Sequence, residues 1–201
     1  MRKFIAGALA AGIISGAIPV KSLASEPAVE MRAYEGNEAL ARIARKYLDM
    51  PYNWGGRNTA KNPGLDCLGL LFSTIEERHG ISWKTWSIKP SVLIKQLNTR
   101  GGKTILIQSE KEPEKSLKSG DFIFFLWRAK LKDKPVAKDD SGKDLYVWHT
   151  AIYSGSGKII HASPFRDSSG EEVFRVIEEP LSDFAKRNNF AGYISVQYEG
   201  S

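Results

Sequence analysis

Cysteine is the rarest residue type in this sequence: Cys67 is the one cysteine among 201 residues. A single thiol cannot form an intramolecular disulfide, so the chain is not a disulfide-stabilised scaffold. The sequence also lacks Cys-x-x-Cys and His-Glu-x-x-His spacings, the usual signatures of structural and catalytic zinc. The thiol is therefore reactive, intermolecular or buried.

Other patterns that the sequence lacks exclude further classes of protein. It has no internal repeat and no low-complexity tract, which excludes repeat architectures. Its basic residues are spread among acidic ones instead of forming a stripe, so nucleic acid is not an expected partner. Any catalytic or binding activity of this chain is therefore expected to come from individual residues in one domain.

The start of the chain has the pattern of a secretory signal. Arg2 and Lys3 precede an apolar run over 4–20, and Ser22-Leu23-Ala24 offers small residues for a signal peptidase. The pattern predicts a signal peptide over 1–24, an extension over 25–36 and a catalytic domain over 37–201. An uncleaved membrane anchor is the alternative, and we expect no stable anchor after cleavage.

Export sets the expected compartment and charge of the mature protein. Residues 1–24 contain three basic residues (Arg2, Lys3 and Lys21) and no acidic one, so their removal lowers the formal net charge from +6 to +3. We expect the protein in the periplasm, or outside the cell at the wall. Such a mild positive charge is weak evidence for a polyanionic partner.

Helical patterns come first along the chain and strand patterns later. Asn37–Leu48 and a segment from Asp66 to Gly80 have helical periodicity, and a short helix is expected over 92–97. A short strand is expected over 103–107, and further strands are predicted over 122–127, 146–153, 158–163, 172–177 and 193–198. This order predicts an α+β fold in which N-terminal helices pack on a C-terminal antiparallel sheet. The charged segment 128–146 reads as a surface loop, with a lid or specificity element as the alternative.

Cys67 is predicted to open the second helix. Asp66 occupies the N-cap position, and the apolar residues that follow recur at helical spacing. The positive end of the helix dipole favours a thiolate at this place, whereas the charge of Asp66 opposes it. We interpret Cys67 as a candidate nucleophile.

A thiol nucleophile needs a base within hydrogen-bonding reach. His79 lies about three helical turns from Cys67 and is too distant. His149 and His161 lie on consecutive predicted strands joined by residues 154–157. A hairpin centred on Gly155 would place the two histidines directly opposite each other, whereas a loop with an even number of residues would send them to opposite faces. Cooperation of the histidines therefore predicts an odd loop or a β-bulge. A zinc site formed by the same residues is the other chemical interpretation.

Several segments together resemble the NlpC/P60 cysteine peptidases. In chain order they are Pro51-Tyr52-Asn53-Trp54-Gly55-Gly56, Asp66-Cys67-Leu68-Gly69-Leu70, Gly120-Asp121-Phe122-Ile123-Phe124-Phe125, His149-Thr150-Ala151-Ile152-Tyr153 and Ile160-His161-Ala162. The resemblance extends from about Asn37 to the C-terminus. It implies a papain-like α+β fold and cleavage of peptidoglycan stem peptides, often between D-glutamate and a diamino acid, with no cofactor or metal.

The resemblance also implies roles for individual residues. Cys67 would be the nucleophile, His149 the general base and His161 the residue that orients it, while Tyr52 would lie near the oxyanion. The backbone N–H of Cys67, at a helix start, is a second oxyanion donor on physical grounds.

The position after the cysteine departs from the family pattern. Members that recognise a free N-terminal L-alanine usually carry serine there, and this chain has Leu68. That serine and the preceding aspartate, here Asp66, hold the amino group of the substrate. The departure leaves the cleaved bond open. It also leaves room for an amidase, a transpeptidase or a thioesterase, and a non-enzymatic wall-binding protein is the remaining alternative.

Overall fold

The computed structural model describes residues 36–107, 116–167 and 169–200. The predicted signal peptide (1–24) and the predicted extension (25–36), apart from Gly36, lie outside the described residues. Within the described ranges, no helix is both long enough and apolar enough to cross a membrane.

The helices largely follow the periodicity of the sequence. They are α1 (Glu38–Arg45), α2 (Cys67–His79), α3 (Pro90–Thr99) and α4 (Leu181–Arg187), with a 3₁₀ turn at Trp83–Thr85. The first three were expected, although α1 ends before the predicted Leu48. The sequence analysis missed α4, because a helix of two turns is too short to show a repeating apolar face.

The strands form one large antiparallel sheet and one small hairpin. They are β1 (Arg57–Thr59), β2 (Asn62–Leu65), β3 (Gly102–Ile107), β4 (Phe122–Trp127), β5 (Ala137–Lys138), β6 (Asp144–Gly155), β7 (Lys158–Ser163), β8 (Arg175–Pro180) and β9 (Gly192–Tyr198). The main sheet has the order β3-β9-β4-β6-β7-β8, with β5 added to β6, while β1 pairs with β2 alone. The predicted α+β class and antiparallel sheet are confirmed.

The two faces of the main sheet are covered by different helices. Along β4, Phe124 joins the cluster that contains Leu40 of α1, Leu71 of α2 and Leu93 of α3. The neighbouring Phe125 points to the other face and joins the cluster of α4. The expectation that N-terminal helices cover the sheet is therefore incomplete, because α4 covers the second face.

Both ends of α2 are closed as the sequence predicts. The side chain of Asp66 accepts a 2.6 Å hydrogen bond from the Gly69 N–H, and Gly80 ends the helix with a φ of 69°. Gly69 also lies against the carbonyl oxygen of Gly56, and a Cβ atom at this position would collide with it. The Gly residues of the two motifs thus allow the β1 segment to approach the start of α2.

The first helix is attached to the last strand at its N-terminal end. Asn37 occupies the N-cap of α1, but its side chain makes no capping hydrogen bond. Instead, its Nδ2 atom donates to the carbonyl oxygen of Tyr198 at 3.2 Å. The contact ties the start of α1 to the last strand.

The β6–β7 hairpin contains the predicted bulge. Gly155 pairs with Lys158 across a tight turn, whereas Tyr153 pairs with Ile159, so Ser154 is the extra residue. The ladder continues with Ile152 opposite Ile160. Extension of this register places His161 across from Ala151, two residues from His149. The hairpin is therefore not centred on Gly155, and the histidines are diagonal neighbours on one face instead of lying directly opposite each other.

The segment 128–146 is partly regular. Strand β5 pairs with the beginning of β6, and Asp133 accepts hydrogen bonds from the backbone N–H (2.8 Å) and Oγ (2.7 Å) of Ser91. The segment is thereby attached to the first turn of α3. Its function as a lid or specificity element stays a prediction.

Candidate active site

His149 and His161 form a buried pair on neighbouring strands. The Nε2 atom of His149 lies 3.0 Å from Nδ1 of His161. The two residues are 3% and 0% exposed, respectively. The His149 ring also contacts Phe165 and Phe184, with ring centroids 5.1 and 5.4 Å apart. The bulge in the hairpin makes this pairing possible, because it keeps both side chains on one face.

A carboxylate and a guanidinium extend the pair on its far side. The Oε1 atom of Glu179 lies 2.9 Å from Nε2 of His161. Arg187 donates from Nη2 to both oxygens of Glu179, each at 2.8 Å. Sequence reasoning missed both residues. Glu179 reaches His161 through the β7–β8 pairing, and Arg187 reaches Glu179 from the unpredicted α4. The alternation of side chains along β8, which directs Glu179 to one side of the strand, was the one pattern in the sequence that could have indicated it.

Burial keeps the histidines neutral. It is the main cause that lowers the pKa of His149 well below its usual value of 6.5, and the neighbouring His161 lowers it further. Burial also lowers the pKa of His161, although its hydrogen bond and charge interaction with Glu179 oppose the shift. Both rings are therefore uncharged at neutral pH in the substrate-free protein.

Cys67 is the first residue of α2 and is half-buried against the sheet. Its sulfur is near Thr150, the residue that follows His149 on β6, and near the backbone of Leu68. Within the described residues, no hydrogen bond joins the sulfur to His149. The structure thus brings the two histidines into contact, but it does not bring them to Cys67. Thr150 pairs with Phe124 and points to the face of the sheet that α2 covers, whereas His149 pairs with Phe125 and points to the face that α4 covers.

The pKa of Cys67 differs from what the helix dipole alone predicts. Burial, followed by the charge of Asp66, raises the pKa of the thiol to about 11, although polar contacts with Thr150 and Leu68 lower it. The expected preference for a thiolate is therefore wrong for the substrate-free protein. The opposing effect of Asp66, which the sequence analysis included, acts in the expected direction.

Tyr52 lies close to the thiol. Its backbone N–H donates to the carbonyl oxygen of Phe174 at 2.8 Å, which attaches this segment to the β8 side of the molecule. Burial raises the pKa of the phenol, and the charges of Cys67 and Asp66 raise it further. The hydroxyl therefore remains a hydrogen-bond donor throughout the physiological pH range.

Asp66 is engaged within the protein on both carboxylate oxygens. Oδ1 accepts from the Gly69 N–H at 2.6 Å and from Nη1 of Arg57 at 2.7 Å, while Oδ2 accepts from the Gly55 N–H at 3.0 Å. The side chains of Arg57 and Asp66 are 8% and 11% exposed. An internal cation thus occupies the place beside Asp66 that the resemblance assigns to the substrate amine.

Leu68 does not present its side chain to an open cleft. It is buried in the cluster that also contains Leu65 and Leu71. Among its atoms, the backbone group is the one that interacts with the sulfur of Cys67. Serine at this position would therefore place a hydroxyl in the hydrophobic core.

The fold and the geometry of the site together define a class of protein. The molecule is an α+β domain with a thiol at a helix N-terminus and a buried, hydrogen-bonded histidine pair on the adjoining antiparallel sheet. The model of the NlpC/P60 family matches residues 49–175. This chain belongs to the NlpC/P60 family, as its sequence motifs indicated.

Solved structures with similarity to the chain carry the same family name. The NlpC/p60 domain of the peptidoglycan hydrolase SagA is 22% identical with a TM-score of 0.44, and the match covers 80% of this chain and 97% of that one. An NlpC/P60 family protein from Bacillus cereus ATCC 10987 is 26% identical with a TM-score of 0.45, over 78% of this chain and 38% of that one.

A third similar structure is RipD from Mycobacterium tuberculosis, described as a non-catalytic NlpC/p60 domain protein adapted to peptidoglycan binding. It is 17% identical with a TM-score of 0.45, and the match covers 78% of this chain and 93% of that one. The chain thus spans nearly all of two of these relatives but well under half of the Bacillus cereus protein. The comparison with curated proteins found no match.

Proposed function

We propose that this protein is an exported cysteine endopeptidase that hydrolyses amide bonds in peptidoglycan stem peptides through Cys67, His149 and His161. The observation that carries the proposal is the 3.0 Å contact between the buried rings of His149 and His161, on the strand whose next residue lies beside the Cys67 sulfur. Desolvation of polar rings costs free energy even when they are hydrogen-bonded, so a buried pair of histidines supports a function beyond packing.

The proposed reaction starts from a neutral thiol and a neutral imidazole. His149 takes the Cys67 proton at Nδ1, since its Nε2 atom is engaged by His161. Because Thr150 beside the thiol and His149 point to opposite faces of the sheet, this step requires a local rearrangement of β6 that brings the ring to the sulfur. The thiolate then attacks the amide carbonyl carbon, and the developing oxyanion is stabilised by the Cys67 N–H and the Tyr52 hydroxyl. In a resting enzyme, such catalytic hydrogen bonds are often long and shorten only in the substrate complex.

The second half of the reaction returns the enzyme to its starting state. His149 passes its proton to the leaving amine while the carbon–nitrogen bond breaks, which leaves a thioester on Cys67. His149 then takes a proton from water as the water attacks the thioester. The thiolate released when the carbon–sulfur bond breaks takes this proton back from His149, and the acid product leaves.

The setting of this activity is part of the proposal. We propose that residues 1–24 are removed on export and that residues 37–201 act at the cell wall, in the periplasm or outside the cell. Peptidoglycan peptide is the proposed partner, and the D-glutamate–diamino acid bond is the expected cleavage site.

Digestion of purified peptidoglycan tests the proposal. The mature protein should release peptide fragments that mass spectrometry identifies, and Cys67→Ala and His149→Gln variants should release none above background. His79→Gln is the matched control, since this histidine lies at the opposite end of α2. Wall binding without products, unchanged in Cys67→Ala, would instead identify a non-catalytic binding protein, and Cys67-dependent release of a different acyl product would identify an amidase, a transpeptidase or a thioesterase.

A further inference from the structure

We infer that Glu179, held by Arg187, is a positioning residue that sets the proton positions on both histidines and stabilises the positive charge that His149 acquires during the reaction. The inference rests on the proposed function, because it concerns the same histidine pair. It assigns a role to two residues that no sequence motif singled out. Neither residue touches Cys67 among the described contacts, so their effect on the thiol is indirect.

The hydrogen-bond partners of Glu179 set its charge. The residue is 5% exposed, and both of its oxygens accept from Arg187 while Oε1 also faces His161. Burial raises the pKa of this carboxyl group, but the hydrogen bonds from His161 and Arg187 outweigh burial and hold the pKa below its usual value. Glu179 is therefore an anion that can only accept hydrogen bonds.

The anion of Glu179 fixes the proton positions on both histidines. Because Glu179 only accepts, Nε2 of His161 must carry a proton, and a neutral His161 then has a lone pair on Nδ1. That lone pair faces Nε2 of His149 at 3.0 Å, so His149 must donate from Nε2. The lone pair of neutral His149 is thus left on Nδ1, the atom that the proposed reaction uses as the base.

The positive charge that His149 acquires in the reaction needs a nearby negative charge. When His149 gains a proton at Nδ1, it becomes an imidazolium buried beside Phe165 and Phe184. An isolated charge in such surroundings is costly. The anion of Glu179 lies one imidazole ring away and favours the positive charge through His161. Arg187 lies on the outer side of Glu179 and keeps it oriented.

The histidine tautomers of the wild-type protein test the inference without a variant. Nitrogen NMR of labelled protein at pH 7 to 8 distinguishes protonation at Nδ1 from protonation at Nε2. We expect both His149 and His161 to be protonated on Nε2. Protonation of neutral His161 at Nδ1 would overturn the inference.

A charge-neutral replacement tests the energetic part. Glu179→Gln keeps the size and an accepting oxygen but removes the charge, and we expect kcat/KM to fall by about ten- to hundredfold, the range for a hydrogen bond to a charged group. Because the anion favours the imidazolium, its removal lowers the pKa at which His149 loses its proton. Since His149 must be neutral to take the thiol proton, the acidic limb of the pH–rate profile should therefore move to lower pH, with kcat more affected than KM.

Glu178→Gln is the matched control. Glu178 precedes Glu179 on β8, alternates to the other side of the strand and contacts Arg45 at 3.4 Å. We expect it to retain the wild-type rate and pH profile. Equal profiles in the two variants, or a lower rate in Glu179→Gln with unmoved limbs, would contradict the inference. If wild-type protein shows no Cys67-dependent product, the proposed function fails, while the NMR result still decides the tautomers.

Discussion

Arg57 and Asp66 form a buried ion pair at the start of the helix that carries Cys67, with Nη1 and Oδ1 2.7 Å apart. The guanidinium also lies over the rings of Phe72 and Trp83, 5.4 and 6.0 Å from their centroids. The pair therefore attaches the β1 segment to α2 next to the thiol, and it uses the carboxylate that the family resemblance assigns to the substrate.

Loss of Arg57 should destabilise the fold. In Arg57→Met the aliphatic volume is largely kept, but Asp66 remains as a buried charge without its cation, which costs about 3 kcal/mol in comparable cases. Denaturant unfolding measures this change. Arg166→Met is the control, because Arg166 and Glu172 form an ion pair in which both side chains are 61% exposed, and we expect at most about 1 kcal/mol there. Equal effects of the two substitutions would contradict a structural contribution from the buried pair.

Substrate recognition should not depend on a free N-terminal amine. Asp66 already accepts hydrogen bonds from Arg57, Gly55 and Gly69, so an ammonium group would have to displace Arg57. Synthetic stem peptides with a free and an acetylated N-terminus should therefore have similar kcat/KM values. A preference of more than about tenfold for the free amine, about 1.4 kcal/mol, would show that Asp66 is available to the substrate.

The Cys67 thiol should react slowly at neutral pH in the absence of substrate. With its pKa raised to about 11, first by burial and then by Asp66, the rate of iodoacetamide labelling should rise about tenfold per pH unit from pH 7 to 10. Asp66→Asn removes a cause that raises the pKa and should label faster at pH 8. A labelling rate that is already constant below pH 7 would show a preformed thiolate.

Stability should fall as the solution is acidified. The pKa of His149 is depressed in the folded protein, so the unfolded chain binds more protons below about pH 6.5. The free energy of unfolding should therefore decrease from this pH downward, with a contribution of at most about 1.4 kcal/mol per pH unit from each buried histidine. Unfolding of the wild type and of His149→Gln at pH 7, 6 and 5 measures the difference. An identical pH dependence of stability in the two proteins would contradict a contribution from His149.

A serine at position 68 should not restore the pattern of amine-recognising family members. Because Leu68 is buried among Leu65 and Leu71, we expect Leu68→Ser to cost about 2–5 kcal/mol of stability, as for other large-to-small core substitutions. Leu106→Ser is the control, since Leu106 is 44% exposed. Thermal unfolding compares the two. A Leu68→Ser protein as stable as the control would indicate that the side chain has access to the cleft.

Local signals in the sequence were sufficient for much of the fold. The Asp66 cap, the Gly80 stop and the apolar spacing between them predict α2 and place Cys67 at its first turn, because helix ends depend on neighbouring residues. The alternating segments likewise predict β4 and β7 with their bounds. The spacing of His149 and His161 predicts a bulge or an odd loop, since the period of a strand is two residues.

These local patterns do not predict contacts between residues that are distant in the sequence. The partners Glu179 and Arg187, and the pairing of Arg57 with Asp66, depend on which strands are neighbours and in which register. The raised pKa of Cys67 likewise reflects burial by the whole fold, which outweighs the local helix dipole. Neighbouring residues set helix ends and strand alternation, whereas burial and charge pairing arise only when the chain brings remote segments together.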